Sequence, residues 1–384
     1  MNASHKYDYI IAGAGCAGLS LLVRLIASGR FADKRILLLD NKSASGNEKT
    51  WCFWEETRGY FEELVHKEWD TISFKSKHFV KEYNIAPYRY KMIKGGDFFT
   101  HCHDIIRQHN NITIVQGTIE NLSGKTGDTW VQYDGIKATA DYIFNSILFQ
   151  TPPLRKKEIL LLQHFKGWFV ETFEPVFNPR IATFMDFRTS QHHGAAFVYV
   201  MPFTAHQALV EYTLFTASLL EPKEYEAGIR DYMNHFYPSV DYKILQQEFG
   251  IIPMTNHPFP SANGNVIHIG TAGGQTKAST GYTFQFIQKH SEALVNALIK
   301  GRPLSGLSPS TKKFSFYDSV LLNVLATNKV PGDKVFTQLF RKNDAKNILR
   351  FLDNQTSFSE DLRIITSLPI FPFFKAATEQ IYKV

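Results

Sequence analysis

Residues 7–29 read YDYIIAGAGCAGLSLLVRLIASG, and the order of residue types in this stretch decides the fold. An apolar strand through Tyr9 to Ala12 runs into Gly13, Gly15 and Gly18 at G-x-G-x-x-G spacing, and an amphipathic helix follows. The segment KRILLLD (34–40) then supplies a second strand ending at Asp40. Gly13 permits a tight turn, Gly15 lets a pyrophosphate approach the backbone, and Gly18 lets helix and strand pack closely, with the small Ala14 and Ala17 between them. The helix N-terminus attracts phosphate. Asp40 is placed to accept hydrogen bonds from ribose hydroxyls, which favours FAD or NAD over a 2′-phosphorylated dinucleotide.

A second glycine-rich constellation lies far downstream, in NGNVIHIGTAGGQTKASTGYTFQFIQKHSEALVNALIKGRP (263–303). It reads as a strand over 266–269, a loop, and a helix starting near Thr280 and ending at Gly301 and Pro303. Gly270, Thr271, Ala272 and Gly273 in the loop, with Thr280 and Gly281 at the helix start, offer a second place for cofactor contact. The chain therefore leaves the dinucleotide-binding unit and returns to it.

Between the two constellations the apolar pattern has period two. HFVKEYNIAPYRYKMI, NITIVQGTIE, TWVQYDGIKATADYIF, GWFVETFEP, AAFVYVMPF and ALVEYTLFT read as strands of a meander and an antiparallel sheet without helical caps. GDFFTHCHDIIRQHN interrupts them as a helix capped by Asp97. In VYVMPFTAHQALVEYTLFT (198–216) two apolar runs flank a short polar break, as in a hairpin. Alternation puts Glu211 on one face with Leu209, Thr213 and Phe215. A carboxylate on an apolar face is either turned to water on an edge strand or buried and protonated more readily than usual. Both readings stand at this level.

Composition narrows the function class. Hydrophobic residues make up 44% of the 384 and charged residues 20%, while 32 Phe and 17 Tyr raise the aromatic share to 14%, which suits a large apolar ligand. Cys16, Cys52 and Cys102 have no paired or metal-ligand spacing, so free thiols in a reducing compartment are expected. His101 and His103 are spaced i, i+2 on a helix and His192 and His193 are adjacent, so no metal is expected. No signal peptide and no spanning apolar run are read. The net charge is +6. The stretch from residue 305 carries 11 Lys and Arg against 7 Asp and Glu beside FSFYDSVLLNVL and SLPIFPFFKAA, a pattern that holds a protein on an anionic membrane surface. No stripe of basic and stacking residues suggests nucleic acid.

Taken together, IAGAGCAGLSL, KTWCFW, VMPFTAHQALVEYT, EFGIIPM and IGTAGGQTKASTGYTFQFI resemble, in order, the flavin-dependent lycopene cyclases. Flavin hydroxylases of this type carry Gly-Asp where this chain has Gly270-Thr271 and Asp-Gly where it has FNSI (144–147); the GTAG of the first place fits the cyclases, whereas FNSI fits neither group well. The resemblance implies an α/β (α+β) fold: a Rossmann-like FAD-binding domain, an antiparallel substrate domain like that of p-hydroxybenzoate hydroxylase, and C-terminal helices. The expected division is 1–70, 110–150 and 262–303 for the FAD domain, 71–109 and 151–261 for the substrate domain, and 304–384 for a helical, membrane-facing cap. It also implies reduced FAD, NAD(P)H as reductant, lycopene or a related acyclic carotenoid as substrate, and a cytoplasmic protein peripherally associated with the membrane. Glu211 is then the acid that protonates the polyene or holds the charge network that does, and Glu248 a secondary acid or base. Two other classes remain open: an isoprenoid reductase or hydroxylase of the same fold, and a non-enzymatic isoprenoid carrier.

Overall fold

The computed structural model describes residues 5–41, 49–125, 127–150, 153–307 and 310–381. The strand His5–Ala12 lies at the centre of the first sheet, with Ile36–Asp40 and Ile112–Gln116 on one side and Ile136–Asn145 and Val266–His268 on the other, all five parallel. Both faces of this sheet are covered, as its unbroken apolar strands require. Ile11, Ile36 and Leu38 pack under the helix Cys16–Ala27, whereas Ile10, Leu37 and Leu39 face a meander carrying Ile119, Val131 and Tyr133. The chain returns to this sheet at Val266, and the helix Phe284–Ile299 packs on the first helix, where the Gln288 amide donates to Ser20 Oγ at 3.1 Å.

The second sheet has seven strands in the order Tyr242–Thr255, Leu160–Thr172, Gln207–Thr216, Ala195–Pro202, Ile181–Asp186, Thr71–Ser76 and Phe79–Asn84. One face meets the interior; the other is covered by the helix Pro222–Phe236, whose Tyr225, Ile229 and Met233 pack on Val198, Val210 and Leu214. A three-stranded sheet of Thr50–Glu55, Arg89–Lys94 and Val65–Trp69 lies between the two larger sheets. Five helices, Lys312–Ala326, Gly332–Lys342, Ala345–Leu352, Phe358–Thr366 and Ile370–Ile381, close the molecule.

Local expectations differ from the structure at four places. The helix in the meander region spans Gly95–Arg107 with Lys94 as its N-cap, so Asp97 sits inside the first turn, where its charge meets the helix dipole. The helix Pro222–Phe236 interrupts the run of strands; Glu221 and Glu224 form its capping box, a signal present in the sequence. The strand Ile181–Asp186 is also an addition, and it pairs in parallel with Thr71–Ser76. The helix after the second glycine loop begins at Phe284 rather than near Thr280. Lys277 N donates to Tyr282 O and Gly281 N to Lys277 O, both at 2.8 Å, and Gly281 has φ +71°, so 277–282 closes as a tight loop instead of starting a helix.

That loop is tied to the closing helices through buried charge. Lys277 Nζ donates to Asp318 Oδ1 at 2.8 Å and to Asn354 Oδ1 at 2.9 Å, and Ser279 Oγ donates to the same Asp318 oxygen at 2.7 Å. Lys277 and Asp318 are 4% and 7% exposed, so each charge depends on the other. Asp318→Ala is expected to cost about 3–5 kcal/mol, because it leaves a buried ammonium without its counter-charge, whereas Lys277→Met combined with Asp318→Leu recovers most of that loss. Chemical unfolding of the three proteins measures both effects.

Candidate functional site

The two glycine loops and the inner face of the seven-stranded sheet meet at a cleft of about 350 Å³. Gly15, Cys16 and Ala17 contribute from the first helix N-terminus, Gly270, Thr271, Thr280, Gly281 and Tyr282 from the downstream loops, and Gln163, Phe165, Tyr199 and Glu211 from the sheet. Of the residues expected from sequence, Glu211, Gly15, Ala17, Gly270, Thr271, Thr280 and Gly281 line this one space. Gly13, Ala14, Gly18, Asp40, Ala272 and Gly273 shape the loops behind it.

The first loop is built for close approach. Gly13 has φ +102°, and a Cβ there would collide with the Ser146 hydroxyl. A Cβ on Gly18 would collide with the Gly13 carbonyl. At Gly15 a Cβ would meet no protein atom within 4 Å, which leaves open space beside the uncapped first turn. Asp40 Oδ2 accepts from the Ala14 backbone N–H at 2.6 Å and so braces the loop itself. The FNSI segment, unlike either sequence pattern, is a brace too: Ser146 Oγ donates to Ala12 O at 3.0 Å, and the Asn145 amide bonds Ile147 O and His268 Nδ1.

Glu211 lies on the inner face of a central strand and is 7% exposed, so the edge-strand reading falls. Its same-face neighbours Leu209 and Phe215 belong to the aromatic core with Tyr199 and Met201, and Thr213 Oγ1 donates to its Oε1 at 2.8 Å. Glu248 stands in the same row. Gly167 pairs with Glu211 on one side and with Glu248 on the other. Without a side chain at 167 nothing separates the two carboxyls; a Cβ there would come within 2.9 Å of both Glu248 Cγ and Leu209 Cδ1. Glu248 does not reach the cleft wall. It accepts from Thr50 N at 3.0 Å and from Thr50 Oγ1 at 2.9 Å, and Thr50 itself lines the cleft.

Burial pushes both carboxyls up, and the charge of Glu248 pushes Glu211 higher still. Thr50 favours the ionised form of Glu248. Of the two, Glu211 is therefore held further toward its neutral form. Burial likewise keeps Tyr90, Tyr199 and Tyr282 as neutral phenols, and Cys52 as a thiol with the two carboxyls adding to the effect. Tyr282 meets Trp54 edge-on at 4.6 Å and lies 3.4 Å, hydroxyl to hydroxyl, from Tyr199.

Sequence reading missed Thr50, Tyr90, Gln163, Gly167 and Tyr282. The aromatic and glycine signals were present, but their meaning lies in strand pairing. Among the described residues no cluster suited to a metal occurs.

The residues present fit an FAD. Open space at Gly15, an uncapped helix N-terminus, and two buried polar atoms without partners, Gln163 Oε1 and Thr280 Oγ1, lie along one cleft.

The sequence profile of the family described as "Lycopene cyclase protein" matches residues 8–378. No curated protein matches the chain significantly. Solved structures of similar fold include a flavoprotein/dehydrogenase from Cytophaga hutchinsonii (10% identity, 99% of this chain and 100% of that one, TM-score 0.63). Others are p-nitrophenol 4-monooxygenase PnpA from Pseudomonas putida (13% identity, 97% and 98%, TM-score 0.60) and Klebsiella pneumoniae HpxO complexed with FAD and uric acid (14% identity, 96% and 99%, TM-score 0.61). The architecture is thus the mixed α/β fold of FAD-dependent monooxygenases, like p-hydroxybenzoate hydroxylase.

A raised carboxyl pKa means that the folded protein binds the proton more tightly than the unfolded chain. Its contribution to stability is full below the ordinary carboxyl range and is lost as pH climbs toward the raised value. Glu211→Gln removes this liability, so its melting temperature should exceed that of the parent by about 2 °C or more at pH 8 and by less at pH 5, as followed by calorimetry.

Proposed function

The chain belongs to the lycopene cyclase protein family, and from that premise we propose that it closes the open ends of lycopene, or a related acyclic carotenoid, into β-ionone rings without net redox change. The observation that carries this reading is Glu211, a buried carboxyl held toward its neutral form by burial and by the neighbouring Glu248, at the aromatic wall of a cleft that also fits a flavin. Reduced FAD, with NAD(P)H as its reductant, would be held by the Gly13–Gly18 loop and by Gly270, Thr271, Thr280 and Gly281, and supplies negative charge beside the substrate without taking its electrons.

Glu211 gives its proton to C2 of the terminal C1=C2 bond, leaving a tertiary cation at C1. The C5=C6 bond attacks C1, the positive charge moves to C5, and the Glu211 carboxylate takes up the C6 proton, which completes the ring and restores the acid. A solvated acid is a poor donor to an alkene; a dry one keeps its proton at neutral pH, and no water captures the cation. Tyr199 and Tyr282 present ring faces and neutral hydroxyls to the developing charge. Glu248 stands beside Glu211 across Gly167 and is held by Thr50, which supports a role as electrostatic partner rather than direct base.

The same proposal keeps the three-part division of the chain, with segments 1–70, 110–150 and 262–303 for the cofactor, 71–109 and 151–261 for substrate, and 304–384 as cap. The packing of the helix Gly95–Arg107 against the first helix brings part of 71–109 to the cofactor side.

No helix among the described residues is long and apolar enough to cross a membrane. The cap nevertheless exposes Phe358, Leu362, Ile370, Phe371 and Phe374 beside the exposed Arg363 and Lys375, a pattern that supports peripheral docking on an anionic bilayer from which the polyene is drawn.

In a lycopene-accumulating host the parent protein should turn red cells orange with products of unchanged mass. Glu211→Gln should reduce conversion by about 10³-fold or more while retaining FAD; full activity in that variant removes Glu211 from the mechanism, and a product two mass units heavier moves the chain to the reductases. Replacing Phe371 and Phe374 by Ser should weaken sedimentation with phosphatidylglycerol vesicles about tenfold or more while leaving turnover of detergent-dispersed lycopene unchanged.

A further inference from the structure

Two buried polar atoms in the cleft have no partner among the described residues. Gln163 Oε1 and Thr280 Oγ1 are both unpaired, on residues only 7% and 5% exposed. They come from different parts of the fold. Gln163 lies on the Gly167 strand, paired with Phe215 and facing the same side as Glu211. Thr280 belongs to the tight 277–282 loop, and Gly281 rests so closely on the Gln163 amide that a Cβ there would collide with Oε1. Buried amide and hydroxyl groups are rarely left unpaired, so a ligand group capable of hydrogen bonding belongs between them.

The chemistry of the two ligands decides which one supplies it. An acyclic carotene is a hydrocarbon and has neither N–H nor O–H to donate and no oxygen to accept. Gln163 stands four residues from the Gly167 row, about 13 Å along the strand, away from the carboxyl pair and toward the glycine loops. A flavin ring carries carbonyl oxygens and ring N–H groups along one edge, the mixed acceptor and donor set that an amide and a hydroxyl match.

We propose that Gln163 and Thr280 bind the polar edge of the isoalloxazine ring and so set where the flavin stops relative to Glu211. This rests on the flavin-dependent reading above. The two groups divide the cleft: polar partners at the Gly281 end, the neutral acid and aromatic faces at the Gly167 end.

The test titrates flavin-free, full-length protein with FAD and, separately, with ADP, which has the phosphates but no ring. Gln163→Leu and Thr280→Val should each raise the FAD Kd about tenfold, the worth of roughly one hydrogen bond, and shift the visible flavin band, while leaving the ADP Kd unchanged. An unchanged FAD Kd in both variants overturns the proposal, as does an equal loss of FAD and ADP affinity in both. If Gln163→Leu fails to bind ADP through misfolding, the FAD and ADP titrations of Thr280→Val decide. A parent protein that binds ADP but not FAD sinks the flavin-dependent function itself, an outcome distinct from parent-like FAD binding by the variants.

Discussion

Two buried carboxyls facing one another across a glycine on the inner face of the seven-stranded sheet constrain the rest of this molecule. Water would let Glu211 and Glu248 ionise independently; in this interior each negative charge raises the cost of the other. The sequence meets that constraint asymmetrically. Glu248 accepts from both the backbone N–H and the hydroxyl of Thr50, a residue of the intervening three-stranded sheet, whereas Glu211 receives one hydrogen bond from Thr213 and faces tyrosines. The asymmetry holds Glu211 further toward its neutral form than Glu248. It also makes Thr50 a tie between two sheets, since its backbone and side chain are both committed to a carboxylate 198 residues away.

The geometry of the cleft follows from which residues are small. Gly167 clears the space between the carboxyls, Gly250 leaves room for the Phe165 ring, and Gly281 fits the backbone against Gln163. Along one strand, alternate inward positions thus read Gln163, Phe165, Gly167 and Phe169, passing from a polar end to an acidic row and into the aromatic core. A single strand orders the chemistry of the site.

The closing helices serve this site as well as covering it. Asp318 and Asn354 hold Lys277 at the base of the loop that presents Thr280 and Tyr282, so the closing helices and this loop are joined. The last helix, Ile370–Ile381, carries the exposed Phe371 and Phe374.

The sequence by itself determined what is encoded within one or two consecutive elements. The G-x-G-x-x-G strand, helix and second strand are contiguous, and their φ and packing demands act over a few residues, so loop and sheet type were legible. Alternation told which neighbours share a face with Glu211. It was silent on whether the strand is central or at an edge, because period two reports the faces of a strand and not its place in the sheet. The helix Pro222–Phe236 covers the outer face, and the Gly167 strand pairs Glu211 with Glu248; only the order of strands brings those segments together. Gln163 and the Lys277–Asp318 pair were unreadable for the same reason. Their meaning is burial beside a distant partner, a quantity that exists only once the chain has closed on itself.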